Sequence, residues 1–301
     1  MPVKVTPPLN SVRTLVALAI VAMSIIITER AHGVAVGRDP AIEWSQIETD
    51  HFLIVYDSRQ QALGAMYARQ AEQAFAAVSP SFGIWPKRTV IVVDDTTDVA
   101  NGFATAFPYP TITAFPVLPS GLDVVSEFGD WGLELLTHEY THILTFEPST
   151  GVFRPLRWIF GGIARPNVFL PRWYTEGLAV EIETRYSRHG RLRSNSFLAI
   201  ARSMVEEGTL RREDIGRINE AIPGWPGGNR PYLMGSLIWD EITRRGGDKM
   251  IGELNLAYSR RIPFLIDGPL KDRLDGVDYE NLLDLTYKRI EARANSQIDK
   301  I

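Results

Sequence analysis

Residues 137–142 read Thr-His-Glu-Tyr-Thr-His, an H-E-x-x-H pattern in a stretch whose periodicity predicts a helix from about Ser126 to Phe146. Histidines four apart project from one helix face, one turn above the other, so His138 and His142 can reach a single metal ion. Glu139 directly follows the first histidine, and its carboxylate then faces the open side of the ion. A carboxylate there takes a proton from metal-activated water and passes it to a leaving amine. With 5 His in 301 residues, chance would produce the pattern only about 0.005 times per chain. The alternative is a helix carrying two solvated histidines.

A catalytic zinc requires a third protein ligand and one open position. The chain contains no cysteine, so that ligand is a histidine or a carboxylate. His32 lies in the leader, His51 in a predicted strand, and His189 in the turn-like basic patch Arg188-His189-Gly190-Arg191, where a surface role is expected. A second helix-like run begins at Pro171 and reads Pro-Arg-Trp-Tyr-Thr-Glu-Gly-Leu-Ala-Val-Glu-Ile-Glu to Glu183. Glu176 is followed there by Gly177, which lets backbones approach closely.

These two segments resemble the gluzincin zinc metallopeptidases, whose pattern is H-E-x-x-H, a spacer, then W-x-x-E-G-x-A. Trp173, Glu176, Gly177 and Ala179 match the second part. The resemblance implies that His138, His142 and Glu176 bind one Zn2+ and that Glu139 is the general base. Tyr232, in Asn229-Arg230-Pro231-Tyr232-Leu233-Met234-Gly235, is similar to the oxyanion tyrosine of aminopeptidase N-like enzymes, with Met234 in the place of a lysine. Its alternative role is packing at a helix N-terminus. Glu183, two turns after Glu176 on the same face, is a candidate acceptor for a hydrogen bond from a zinc-bound histidine, or else a surface salt-bridge partner.

Departures narrow the resemblance. The spacer from His142 to Glu176 is longer than in the aminopeptidases, and Val180 stands where thermolysin-like enzymes carry an Asp. No G-x-M-E-N segment precedes the metal helix; Asn101–Ala106 and Thr111–Pro116 occupy that region. The glutamate that holds a substrate's free N-terminus is thus missing, which favours endopeptidase action. The best match is to peptidase MA-like domains of bacterial envelope proteins, some followed by a TolB-like β-propeller, over roughly Trp44 to Lys300. Peptides or proteins are the implied substrates, and a propeller or another envelope protein an implied partner. Two other readings stay open: a non-catalytic zinc-binding envelope domain, against which the intact Glu139 argues, and a hydrolase of a non-peptide amide or epoxide on the same scaffold.

The elements that position these residues predict an α+β fold of the thermolysin-like gluzincin type, a small mixed sheet with an edge strand followed by a mostly helical C-terminal half. Strands are expected at His51–Tyr56, Arg88–Val93 and Thr111–Phe115, the last being the candidate to pair with substrate backbone, and a helix at Gln60–Val78. Further helices are expected at Trp131–Phe146, Trp173–Tyr186, Asn195–Glu207, Arg211–Asn219, Tyr232–Arg245, Lys249–Tyr258 and Tyr279–Ser296. Residues 40–125 would form an α/β subdomain and 126–300 the helical metallopeptidase subdomain.

Residues 1–36 read as a signal peptide or signal anchor. A polar start is followed by the apolar run Leu15–Ile27, short for a span of about twenty residues, with small residues beyond it for cleavage. This predicts export to the periplasm or cell envelope, with membrane contact through the N-terminal segment. A net charge of −4 gives no general attraction to nucleic acid. The connector from Pro148 to Arg172 holds four arginines, no acid and many apolar residues. It is either a rim that touches an anionic membrane or a long loop that packs its apolar residues over the helices, its prolines and Gly161-Gly162 breaking any long helix. The segment Pro223–Gly228 is either a mobile lid beside Tyr232 or a turn.

Overall fold

In a computed structural model of the chain, residues 40–120, 128–220, 224–261 and 265–298 are described. The predicted leader lies outside them. Among the described residues no helix is long and apolar enough to cross a membrane.

Five strands form one mixed sheet: β1 (Trp44–Glu48), β2 (Phe52–Asp57), β3 (Thr89–Val93), β4 (Gly102–Thr105) and β5 (Thr111–Ala114), in the order β1-β2-β3-β5-β4. The parallel pairs β2/β3 and β3/β5 occupy the centre, and antiparallel β1 and β4 the two edges. Alternation along β2 and β3 buries Phe52, Ile54, Tyr56, Ile91 and Val93 on one face, the period-2 pattern of strands with one face in the core. The crossover between β2 and β3 is α1 (Gln61–Phe82). It ends at Gly83, whose φ of +69° is the left-handed conformation that glycine adopts at helix C-termini.

The predicted edge strand is placed differently. Thr111–Ala114 is interior, flanked by β3 and β4, and the edge strand is Gly102–Thr105. That short segment has a weak strand signature, a glycine and an alanine among four positions, so its pairing is set by the hairpin with β5 rather than by propensity. It lies against the metal-motif helix: a Cβ on Gly102 would stand 3.0 Å from Leu135 Cδ1.

The helical half contains α2 (Trp131–Phe146), α3 (Phe153–Phe160), α4 (Arg172–Tyr186), α5 (Asn195–Glu206), α6 (Ile215–Ile218), α7 (Arg230–Gly246), α8 (Lys249–Tyr258), α9 (Asp267–Lys271) and α10 (Tyr279–Ile298). The fold is thus α+β, as expected. The predicted helix Arg211–Asn219 is instead a 3-10 turn at Leu210–Arg212 and the short α6. Asp214 breaks the run by capping α6, its carboxylate accepting from Arg217 N at 2.7 Å.

Two crossings decide where the site forms. Helix α2 is capped by Asp130, whose Oδ1 accepts from Leu133 N at 3.2 Å and from the Gln70 amide of α1 at 2.7 Å. Helices α4 and α7 cross backbone to backbone. A Cβ on Gly177 would collide with the Gly235 main chain, and one on Gly235 with the Trp173 carbonyl. Around that crossing Trp173, Tyr174, Trp239, Tyr258 and Tyr279 form a buried aromatic core with edge-to-face pairs at 4.8–5.9 Å. Trp173 of the W-x-x-E-G pattern is therefore a core residue, and it fixes the rotation of α4.

Candidate metal centre

On α2, His138, Glu139 and His142 are all buried. Helix α4 brings Glu176 to the same point. His138 Nε2 and His142 Nε2 lie 3.3 Å apart, and Glu176 Oε2 is 3.4 Å from the first and 3.3 Å from the second. Among the described residues this is the one group of three His or acidic residues whose ligand atoms converge in this way.

The triangle fits zinc. Zinc bonds of about 2.0–2.1 Å in tetrahedral array set neighbouring ligand atoms about 3.3–3.4 Å apart. The donor set of two imidazoles and one carboxylate also leaves one position without a protein ligand, the pattern of a catalytic site. Charge supports a cation there. Burial pushes Glu176 up, but the two histidines outweigh it and hold its carboxyl well below the ordinary value.

The far side of His138 is fixed by Glu183 and Arg191. His138 Nδ1 lies 2.9 Å from Glu183 Oε2 and 2.7 Å from Arg191 Nη2. A guanidinium only donates and a carboxylate only accepts. Where Nε2 keeps its lone pair for an ion, Nδ1 carries the proton and donates it to Glu183. Arg191 holds that carboxylate on both oxygens, Nε to Oε1 and Nη2 to Oε2, each at 2.7 Å. Burial raises the Glu183 carboxyl, Arg191 more than reverses this, and the result is about 2. His138 is pulled down by burial and by Arg191, but Glu176 and Glu183 carry it up to about 9. The Nδ1 of His142 is buried and has no protein partner.

Glu139 follows the opposite rule. Burial is the largest influence on it and lifts its carboxyl above the ordinary value, with Glu176 adding to the lift and the histidines opposing it. A carboxyl raised in this way is better matched to receiving and returning a proton. Tyr232 lies in the first turn of α7, its ring stacked on His138 at 6.5 Å between centroids. Its hydroxyl accepts from Arg172 Nη2 at 3.2 Å. The guanidinium carbons of Arg172 and Arg191 stand 5.5 and 5.2 Å from the ring centroid.

The structure brings His138, Glu139, His142, Glu176, Glu183 and Tyr232 into one cluster. Two further members, Arg172 and Arg191, have no place in the motif pattern. Arg172 carries a sequence signal, four residues before Glu176 and hence on its face; the pair is 3.7 Å apart. Arg191 carries none, because its segment reads as a basic surface turn. Gly190, at φ +80°, folds the chain back over Thr184, which returns Arg191 to Glu183 while His189 stays exposed. His51 is occupied elsewhere, paired with Glu72 at 2.8 Å and stacked on Phe75. The Gly224–Gly228 segment is a turn whose Gly224 and Trp225 carbonyls accept from Arg230.

No protein-family model and no curated protein matches the chain. Solved structures similar to it include an M1 zinc metallopeptidase from Deinococcus radiodurans, at 14% identity and a TM-score of 0.42, over 82% of this chain and 51% of that one. Leukotriene A4 hydrolase from Saccharomyces cerevisiae is similar at 13% identity and a TM-score of 0.42, over 86% of this chain and 38% of that one. A two-domain M1 zinc metallopeptidase bound to L-tryptophan matches at 14% identity and a TM-score of 0.41, over 82% and 51%. The chain spans about half the length of these metallopeptidases or less.

Proposed function

We propose that this chain is a zinc-dependent peptidase that cleaves peptide bonds with water as nucleophile. The observation that carries the reading is the ligand triangle of His138, His142 and Glu176, with edges of 3.3–3.4 Å, beside a buried Glu139. Zinc held there would supply a Lewis acid for the scissile carbonyl and lower the pKa of the attacking water. Glu139 takes the proton as the water oxygen bonds to the carbonyl carbon. It returns that proton to the amine nitrogen as the C–N bond breaks. Tyr232 donates its hydroxyl proton in a hydrogen bond to the oxygen on which negative charge develops, and Arg172 steadies that hydroxyl. Glu183 and Arg191 hold His138 in the tautomer that leaves Nε2 free.

Endopeptidase action is the finer part of the proposal. Residues 101–120 contain no acidic side chain, so that region offers no anchor for a free α-amine. The exposed edge of β4 beside α2 offers main-chain pairing to an extended substrate. The apolar run Leu15–Ile27 supports action in the cell envelope, which fractionation of the native host would test.

The test is zinc content and cleavage of a mixed peptide library, with and without chelator. One equivalent of zinc, and cleavage that chelator removes and zinc restores, is expected. Equal cleavage of N-acetylated and free peptides is expected of an endopeptidase; strict dependence on a free N-terminus contradicts that part. A protein that binds zinc and cleaves no peptide under any of these conditions overturns the peptidase reading.

A further inference from the structure

The connector after α2 contains the two-turn helix α3, and none of its residues is buried. Trp158 is 88% exposed, Ile159 62% and Phe160 59%, with Val152 before the helix and Ile163 after it also exposed. The reading of this connector as a loop that packs its apolar residues over the helices therefore holds at its far end, where Leu170 is buried and Val168 and Phe169 are half-buried, and fails for α3. Pro155 is accommodated because it stands in the first helical turn, where its missing N–H costs nothing. The charge part of that reading holds as well: Arg157 and Arg165 both pair with Glu147 at the end of α2.

A second exposed apolar group adjoins this helix. The tip of the β4–β5 hairpin carries Phe107 and Tyr109, 52% and 58% exposed. Arg165 donates to the Ala106 carbonyl, and a Cβ on Gly162 would lie 3.0 Å from the Pro108 carbonyl oxygen. Hairpin tip and helix exit thus form one aromatic face.

The charge of this face runs against that of the chain. Net charge is −4 overall, yet residues 101–120 and 148–172 contain no acid, and the second segment has four arginines. Arg154 is exposed on α3. Arg260, also exposed, stands beside Gly151, where Thr150 and Ser259 join the two segments by hydrogen bonds of 2.7 and 3.0 Å. Neither arginine enters an ion pair among the described residues.

From this we infer that the face formed by α3 and the β4–β5 hairpin tip docks on an anionic lipid bilayer. Trp158, Ile159 and Phe160 are consecutive, so at about 100° per residue they fan out over roughly 200° of the helix circumference. Helices that lie in a bilayer interface combine Trp, Phe and other apolar side chains with arginine or lysine, which is the composition of this fully unburied helix. Aromatic side chains partition to the headgroup level, and nearby arginines attract anionic headgroups. Eight residues are far too few to cross the bilayer, so the contact is peripheral. A second copy of the same face would oppose arginine to arginine. Because only six residues separate α3 from the end of α2, docking would hold the metal-motif helix close to the membrane surface.

The absence of cysteine permits a direct test on the full chain. Ile159→Cys and, as a control, the exposed Ser296→Cys each receive a polarity-sensitive fluorophore. They are mixed with phosphatidylcholine vesicles with or without about one-third phosphatidylglycerol, in versions with and without brominated acyl chains. The label at 159 is expected to shift to the blue and to be quenched by brominated lipid on anionic vesicles, and the label at 296 to do neither. Unlabelled Trp158→Ser/Phe160→Ser is expected to bind anionic vesicles at least about tenfold more weakly, with unchanged thermal stability. Arg154→Ala/Arg260→Ala should narrow the preference for anionic over neutral vesicles. Quenching equal at 159 and 296, or a double variant that binds as wild type does, overturns the proposal and leaves any binding to the apolar N-terminal run. A label at 159 already in an apolar setting without vesicles also overturns it, in favour of a protein segment or second copy on that face.

Discussion

His138 shows how much of a candidate metal centre is built from residues outside the ligand triangle. Its Nε2 points to the ligand triangle, and its Nδ1 is claimed by Glu183, which Arg191 grips on both carboxylate oxygens. Removing Arg191 leaves a buried carboxylate without its counter-charge and frees the imidazole to rotate. Arg191→Met is therefore expected to weaken zinc binding by about 10–100-fold, measured by competition with a chromogenic chelator. Unchanged affinity would show that Glu183 alone suffices. In the proposed mechanism Tyr232 serves the other side of the reaction. Tyr232→Phe keeps the ring stacked on His138 and removes only the hydroxyl, so zinc affinity should hold while kcat falls about 10²–10³-fold. A rise in KM with kcat retained would instead make Tyr232 a substrate-packing residue. The motif residues were legible in the sequence because H-E-x-x-H and W-x-x-E-G encode helical spacing, which survives without knowledge of the fold. Glu183 was legible as a face partner of Glu176 for the same reason. Arg191 was not, since its approach depends on the left-handed turn at Gly190, a tertiary event with no periodicity to reveal it.

At the scale of elements, the site depends on how closely α4 can approach α7. Gly177 and Gly235 face each other without room for a Cβ on either. Gly235→Ala is expected to destabilise the protein by about 1–3 kcal/mol, read as a lower urea midpoint at unchanged m-value. It should also weaken zinc binding by shifting Glu176 away from the two histidines. Wild-type stability in this variant would mean that the helices can separate without cost. Most helices were legible in the sequence, because long amphipathic or apolar runs carry their own signal. Both edge strands escaped: Trp44–Glu48 and Gly102–Thr105 are short, and neighbouring strands rather than propensity hold them in place. The interior position of Thr111–Ala114 follows from the same cause. Helix α3 escaped too, as its Pro155 reads as a breaker unless its first-turn position is known.

For the whole molecule, a zinc ion held by the ligand triangle would tie α2 to α4. Ligands from α2 and α4 form no complete site in an unfolded chain, so zinc binding stabilises the fold by mass action. At a zinc concentration about a thousandfold above Kd the gain is about 4 kcal/mol, seen in calorimetry as a rise in Tm that chelator abolishes. Glu176→Gln should remove most of that rise. A Tm indifferent to zinc would show that the three ligands do not act on one ion.

The central claim is that zinc and Glu139 together hydrolyse peptide bonds, and one comparison tests it most directly. Wild type and Glu139→Gln are purified side by side, assayed for zinc by mass spectrometry and incubated with the same peptide library. One zinc per chain is expected in both proteins, with the cleavage rate at least about 10³-fold lower in the variant. Cleavage at the wild-type rate by Glu139→Gln, or a chain that holds no zinc, would contradict the account.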